Sequence, residues 1–98
     1  MPVQITIIGL GQIGASIGLA LSQHKNIVSV VGHDIEIAVE RAAQKKGAVE
    51  TTEHNLPKAV KDARIVLLAL TVHQIRETLE FIAPDLMDGT VVVDTAPI

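Results

Sequence analysis

One short stretch constrains this chain more than any other. Val3 to Ile8 is rich in β-branched residues and ends on Gly9-Leu10-Gly11-Gln12-Ile13-Gly14, after which Ile13, Ile17, Ala20 and Leu21 recur at helical spacing. The order strand, G-x-G-x-x-G, helix is open to few folds. Gly9 permits a tight turn, Gly11 allows the backbone to approach a bound group, and Gly14 allows the helix to lie close on the strand. Gly18, one turn further on, extends that contact. Free N–H groups at such a helix start, helped by the helix dipole, favour a diphosphate. In this context the motif predicts a dinucleotide site; taken alone, three glycines at this spacing are a weak signal.

The rest of the chain alternates in the way such a site requires. Ile27 to Gly32 reads as a second strand and Ile35 to Lys46 as a second helix, with Ile35, Ala38, Val39 and Ala42 on one face. Lys45 and Lys46 suit the dipole at its end, and Gly47 stops it. Ala48 to Thr51 reads as a short third strand and Leu56 to Lys61 as a short helix. The wholly apolar Ile65 to Leu70 reads as a central strand buried on both faces. Thr71-Val72-His73-Gln74 fits a capping box and predicts a helix from Val72 to about Ala83, stopped near Pro84. Asp88-Gly89 reads as a turn before a fifth strand, Thr90 to Asp94. This alternation predicts an α/β Rossmann-type doubly wound parallel sheet, broken off after the fifth strand. Residues 1–98 are thus expected to be one dinucleotide-binding domain lacking its last unit.

Asp34 stands 20 residues after Gly14, at the end of the second strand. A carboxylate there can accept hydrogen bonds from a ribose hydroxyl and repels a 2′-phosphate. Its neighbours are His33 and Ile35, with no Arg or Lys beside it, which favours NAD over NADP. Capping of the second helix is the other role open to Asp34, and both can hold. His24, His33, His54 and His73 show no metal-ligand spacing, so no metal site is expected. His24 reads as a surface residue near a helix end, His54 as a loop residue and His73 as a solvated residue of a first helical turn. Asp94 either points into the crevice beyond the strand ends or forms a turn.

Composition narrows the function classes. Hydrophobic residues are 48% of the 98, charged residues 19%, and Phe81 is the one aromatic, so the core must be Ile, Val, Leu and Ala. A net charge of -3, without a basic stripe or aromatic platform, argues against nucleic acid as a partner. The absence of Cys excludes disulfide and thiol chemistry within the chain. No apolar run is long enough for a membrane span and no basic n-region opens the chain, so a cytoplasmic soluble domain is expected.

The stretches "ITIIGLGQIGASIGLAL", "VVGHD", "AVKDARIVLLALT" and "VVVDTAPI" together resemble the N-terminal half of the prephenate and arogenate dehydrogenases, over essentially the whole chain. The resemblance implies NAD(P) binding and an oxidative decarboxylation in which a hydride passes from the substrate ring alcohol to nicotinamide. By position, it implies that Gly9, Gly11, Gln12, Ile13 and Gly14 hold the pyrophosphate and that Asp34 binds the adenosine ribose, with Leu70 and Thr71 along the cofactor. Leu10 within the glycine turn and His33 and Ile35 flanking Asp34 are counted with the cofactor-binding residues. Thr71 stands where Pro is common, Arg64 where Asp is common, and Thr95-Ala96-Pro97 replaces a Val-Gly-Ser run, which leaves the substrate open. The family's catalytic His and helical dimerisation domain come later in the chain than Ile98. No catalytic residue is therefore assigned here, and a small-molecule substrate is expected only for the intact enzyme. The alternatives are the cofactor domain of another reductase of the 6-phosphogluconate-dehydrogenase-like build and a non-catalytic NAD-sensing or interaction module. An apolar surface left uncovered by a missing domain would favour homo-oligomers.

Overall fold

Alternation of side chains along each strand divides the apolar residues into two sets, and the two sets build two layers. The computed structural model describes residues 2–96. Strands β1 (Val3–Ile8), β2 (Val28–His33), β3 (Thr51–Thr52), β4 (Ile65–Leu68) and β5 (Val91–Asp94) form one sheet in the order β3-β2-β1-β4-β5. Every pairing is parallel. Helices α1 (Gln12–Leu21) and α2 (Ile37–Lys46) cover one face, and α3 (Leu56–Val60) and α4 (Val72–Ile82) cover the other. On the first face Ile5, Ile7, Val30 and Leu67 meet Ala15, Ile17, Leu21 and Ala43. On the second, Ile8, Val66 and Leu68 meet Val60, Ala63 and Ile82. Thr6 points to the second face and is fully buried; its hydroxyl donates to the Ala59 carbonyl at 2.6 Å, which satisfies both groups.

The chain runs outward from β1 to β3, then crosses back to β4 on the other side of β1. The strand order therefore reverses between β1 and β4, and a crevice opens beyond their carboxyl ends. The doubly wound parallel architecture expected from the sequence is what forms.

Several boundaries differ from the sequence expectation, each for a local reason. The second helix starts at Ile37, not Ile35, because the Asp34 carboxylate accepts the Glu36 N–H at 2.9 Å and closes a turn first. Its inward face is accordingly Val39, Glu40 and Ala43; Ala38 and Ala42 are exposed, and Ile35 is 83% exposed. The inner face of α1 is Gly14 and Gly18 with Ala15, Ile17 and Leu21, while Ile13 and Ala20 face out. The helix gives way to a 3-10 turn at Ser22–His24, where His24 is exposed. The third strand is only Thr51–Thr52; Ala48 and Val49 are core residues that follow the left-handed Gly47 (φ 83°). The second strand extends to His33, and the fourth ends at Leu68, two residues early. The capping box forms as read: the Thr71 hydroxyl accepts the Gln74 N–H, and the Gln74 side chain accepts the Thr71 N–H at 3.1 Å. Pro84 lies in a 3-10 turn, Ala83–Asp85, that follows α4.

Val91 and Val93 share a sheet face with Ile65 and Leu67, as the register requires. Among the described residues no helix covers them, and they are 55% and 44% exposed. Pro97, singled out in the sequence, lies outside the described residues.

Helix α1 touches its surroundings through bare backbone. A Cβ at Gly18 would run into the Ala48 carbonyl oxygen, which is main chain and cannot rotate away. Gly18→Ala is therefore expected to cost about 1–3 kcal/mol, despite the better helix propensity of Ala, and urea unfolding measures it.

Candidate functional site

The turn after β1 is fixed by backbone geometry. Gly9 has φ 95°, a region L side chains rarely adopt, and a Cβ there would meet the Ala69 carbonyl oxygen at the end of β4. Its N–H donates to the His33 carbonyl at 2.8 Å and so continues the β1–β2 ladder. Gly14 packs directly under the Gly9 carbonyl and admits no side chain. Gly11 is different. It is the N-cap of α1, its φ of -70° is ordinary, it is exposed, and no heavy atom lies within 4 Å of where a Cβ would stand. Nothing inside the protein requires glycine at Gly11; what a side chain there would fill is open space in front of the helix start. No side chain caps that start and its first turn holds no acid. These are the conditions under which backbone N–H groups receive an anion.

Asp34 faces this turn from the end of β2. Its Oδ2 accepts the Leu10 N–H at 2.8 Å, its Oδ1 accepts the Glu36 N–H, and its own N–H donates to Glu40 Oε2 at 3.0 Å. The carboxylate does not cap α2, whose N-cap is Glu36 with no side-chain bond. It forms the turn that precedes the helix and ties that turn to the glycine loop.

A cleft of about 690 Å³ lies between these groups, the start of α3 and one side of α4. Of the residues singled out in the sequence, Gly9, Gly11, His33, Asp34, Ile35 and Leu70 line it. Leu10 and Gly14 are buried behind the turn, Gln12 and Ile13 are exposed on the first turn of α1, and Thr71 is exposed as the N-cap of α4. His54, Gln74, Thr78 and Phe81 also line the cleft, and the sequence marks none of them as a site residue; the last three lie on α4. Their spacing of four and three residues sets them on one face of α4, a signal the capping box could have anchored. His73 does not line the cleft, and Asp94 accepts the Ala96 N–H at 3.1 Å, the turn role of its two readings.

Beside Asp34 lies a cluster the sequence reading did not anticipate. Glu40 is only 3% exposed, His54 Nδ1 lies 2.8 Å from its Oε2, and His33 Nδ1 lies 3.7 Å from the same oxygen. His33 Nδ1 is also 3.1 Å from the Glu53 carbonyl. The three residues come from β2, α2 and the loop after β3, so no local spacing advertises them.

Sheet order, the glycine turn and the acidic residue at the end of β2 define a Rossmann-type dinucleotide-binding domain. Residues 4–97 match the family described as NADP oxidoreductase, coenzyme F420-dependent, and the chain belongs to that family. It is 38% identical over 92 residues to a prephenate dehydrogenase of Lactococcus lactis subsp. cremoris (strain MG1363), covering 93% of this chain and 25% of the relative. The arogenate dehydrogenase of Synechocystis superposes with a TM-score of 0.86 at 25% identity, over 98% of this chain and 34% of that one. The prephenate dehydrogenase of A. aeolicus, solved with hydroxyphenyl propionate and NAD+, superposes with a TM-score of 0.89 at 21% identity, over 100% of this chain and 35% of that one. The chain thus spans about a quarter of the length of the curated relative and about a third of each solved structure.

Asp34 carries structural weight independent of any ligand. Asp34→Ala leaves the Leu10 and Glu36 N–H groups without their charged acceptor and is expected to destabilise the fold by about 1.5–3 kcal/mol, with Asp34→Asn costing less. Chemical denaturation of the two variants checks the order.

Proposed function

We propose that this chain is the cofactor-binding portion of an NAD-dependent dehydrogenase of the prephenate or arogenate type. The observation that carries this reading is the open space at Gly11, in front of an uncapped helix start and across from Asp34. In the proposed complex Gly9, Gly11, Gln12, Ile13 and Gly14 hold the pyrophosphate through the turn and the first turn of α1, with Leu10 fixing the turn from behind. Asp34 takes the adenosine ribose, flanked by His33 and Ile35, and Leu70 and Thr71 border the cofactor beyond β4. Bound there, the nicotinamide would accept the hydride in the oxidative decarboxylation of prephenate, a step of tyrosine biosynthesis. No residue of this chain is assigned to the hydride step, and the chain alone is not expected to turn over.

The family description names NADP, yet the cleft argues for NAD. Among the described residues no Lys or Arg lines it, while the acidic Asp34 and Glu77 do. Its two imidazoles, His33 and His54, face the Glu53 carbonyl and the Glu40 carboxylate. A 2′-phosphate would find repulsion there and no bidentate partner.

The test is calorimetric titration of the chain with NAD. Heat of binding is expected by about 1 mM cofactor, where binding free energy is about -4 kcal/mol, with NADP at least about tenfold weaker. Because Asp34 also holds the turn, Gly11→Asp is the cleaner control. An Asp is favoured at an N-cap and has room at this one, so the fold should be kept while a diphosphate is repelled. Silence at that NAD concentration, preference for NADP, or unchanged NAD binding by Gly11→Asp would each overturn the assignment.

The intact protein is read as a cytoplasmic enzyme acting on a small molecule, and the uncovered Val91 and Val93 face as a surface through which the chain associates with itself. Light scattering at rising concentration is expected to show dimers or larger species, and a monodisperse monomer would refute that part.

A further inference from the structure

Glu40 is a buried carboxylate on the sheet-facing side of α2, a place where an aliphatic residue is the ordinary occupant. A charge so placed needs a counterpart. Among the described residues no Lys or Arg lies within ion-pair distance of it; its side-chain neighbours are His33 and His54. We propose that His33, Glu40 and His54 form a binding site for one divalent transition-metal ion of the zinc type, which ties the end of β2, helix α2 and the loop after β3 together.

The geometry fits such an ion. One donor atom from each residue lies within 4.8 Å of the other two. With metal–ligand bonds of about 2.0–2.2 Å in a tetrahedral site, neighbouring donors stand roughly 3.3–3.6 Å apart. The separations from Glu40 Oε2, 2.8 Å to His54 Nδ1 and 3.7 Å to His33 Nδ1, bracket that spacing. The remaining adjustment falls on His54, whose side chain is 48% exposed in a loop and has only its bond to Glu40 to exchange for the ion. Two imidazoles and one carboxylate leave a fourth position for water, the donor set of open zinc sites. Imidazole donors select zinc, nickel or copper over magnesium and calcium.

The supporting groups are also in place. Glu40 Oε2 accepts the Asp34 N–H, the kind of outer hydrogen bond that fixes a ligating carboxylate. Both histidines line the cleft, so an ion reaches them from solvent. The rival occupant is a proton: with each Nδ1 donating, His54 to Glu40 and His33 to the Glu53 carbonyl, the cluster is a closed hydrogen-bond network. The two readings diverge on whether the protein takes up metal. The inference uses none of the NAD assignment.

The experiment is calorimetric titration of the untagged, chelator-stripped 98-residue chain with Zn²⁺, without nucleotide. One Zn²⁺ per chain with micromolar or tighter affinity is expected, and no heat with Mg²⁺. His54→Ala and His33→Ala should each weaken Zn²⁺ binding at least tenfold. His24→Ala/His73→Ala, which removes the two exposed histidines outside the cluster, should leave it unchanged. Co²⁺ should give a visible absorption band in the unmodified chain that His54→Ala abolishes. If His33→Ala fails to fold by circular dichroism, His54→Ala decides, because its ring is half-exposed. Absence of Zn²⁺ binding, affinity indifferent to His54→Ala, or affinity lost in the His24/His73 variant would overturn the proposal.

Discussion

The backbone-to-backbone approach of α1 is the contact on which the rest of the molecule depends. Gly14 rests on the Gly9 carbonyl and Gly18 on the Ala48 carbonyl, with no side chain between. Two glycines a turn apart let the helix axis sink toward the sheet, and its start is thereby brought to the carboxyl end of β1. A helix held off by side chains would carry its N–H groups away from the crevice and from Asp34. The same contact explains why so small a core suffices here. Ile17 and Leu21 need only fill the flanks of a helix that already lies against main chain.

A polar chain runs behind the apolar layers and sets the far side of the crevice. Glu40 receives the Asp34 N–H, and Asp34 receives the N–H groups of Leu10 and Glu36. The Leu10–Asp34 link joins segments 24 residues apart, and the two local links carry it on into α2, so the glycine turn, the end of β2 and helix α2 are held in one arrangement. Buried polar networks of this kind hold a geometry when every member is satisfied, and among the described residues no buried side-chain N or O lacks a partner. The cost is that the network cannot be trimmed piecemeal. Removing one carboxylate strands donors on two elements.

Much of the architecture was legible because it is local. β-Branched runs at β1, β2, β4 and β5, the glycine turn, the Thr71–Gln74 capping box and the Gly47 stop each announce themselves within a few residues. What was not legible depends on partners far away in the chain. The two-residue β3 exists only because Thr51 and Thr52 find β2, and the apolar Ala48 and Val49 beside it drew the strand reading toward themselves. The face of α2 was misread because Glu40, polar by type, is buried by its bond to Asp34, and because the turn at Asp34–Glu36 delays the helix by two residues. The histidine cluster was invisible for the same reason: His33 and His54 are brought together by the β2–β3 register, not by spacing. The cleft-lining face of α4 could have been read from periodicity, yet its members only gain meaning once the strand order puts α4 opposite Asp34.

Of the two roles the sequence left to Asp34, capping of the second helix is replaced by closure of the turn before it, and the compatibility of that turn with the proposed ribose contact follows from counting acceptor sites. An ionised carboxylate offers about four lone-pair positions. The Leu10 and Glu36 N–H groups occupy one on each oxygen, which leaves one on each for further donors. A vicinal diol presents two hydroxyls at a separation a single carboxylate can span, so the proposed ribose contact needs no structural bond to break. The residue that closes the turn before α2 is thus held in place by the two amides it serves, and it lines the same cleft as Gly11. A carboxylate held by structural bonds loses little further freedom on meeting a ligand, and that preorganisation favours the proposed ribose contact at this strand end.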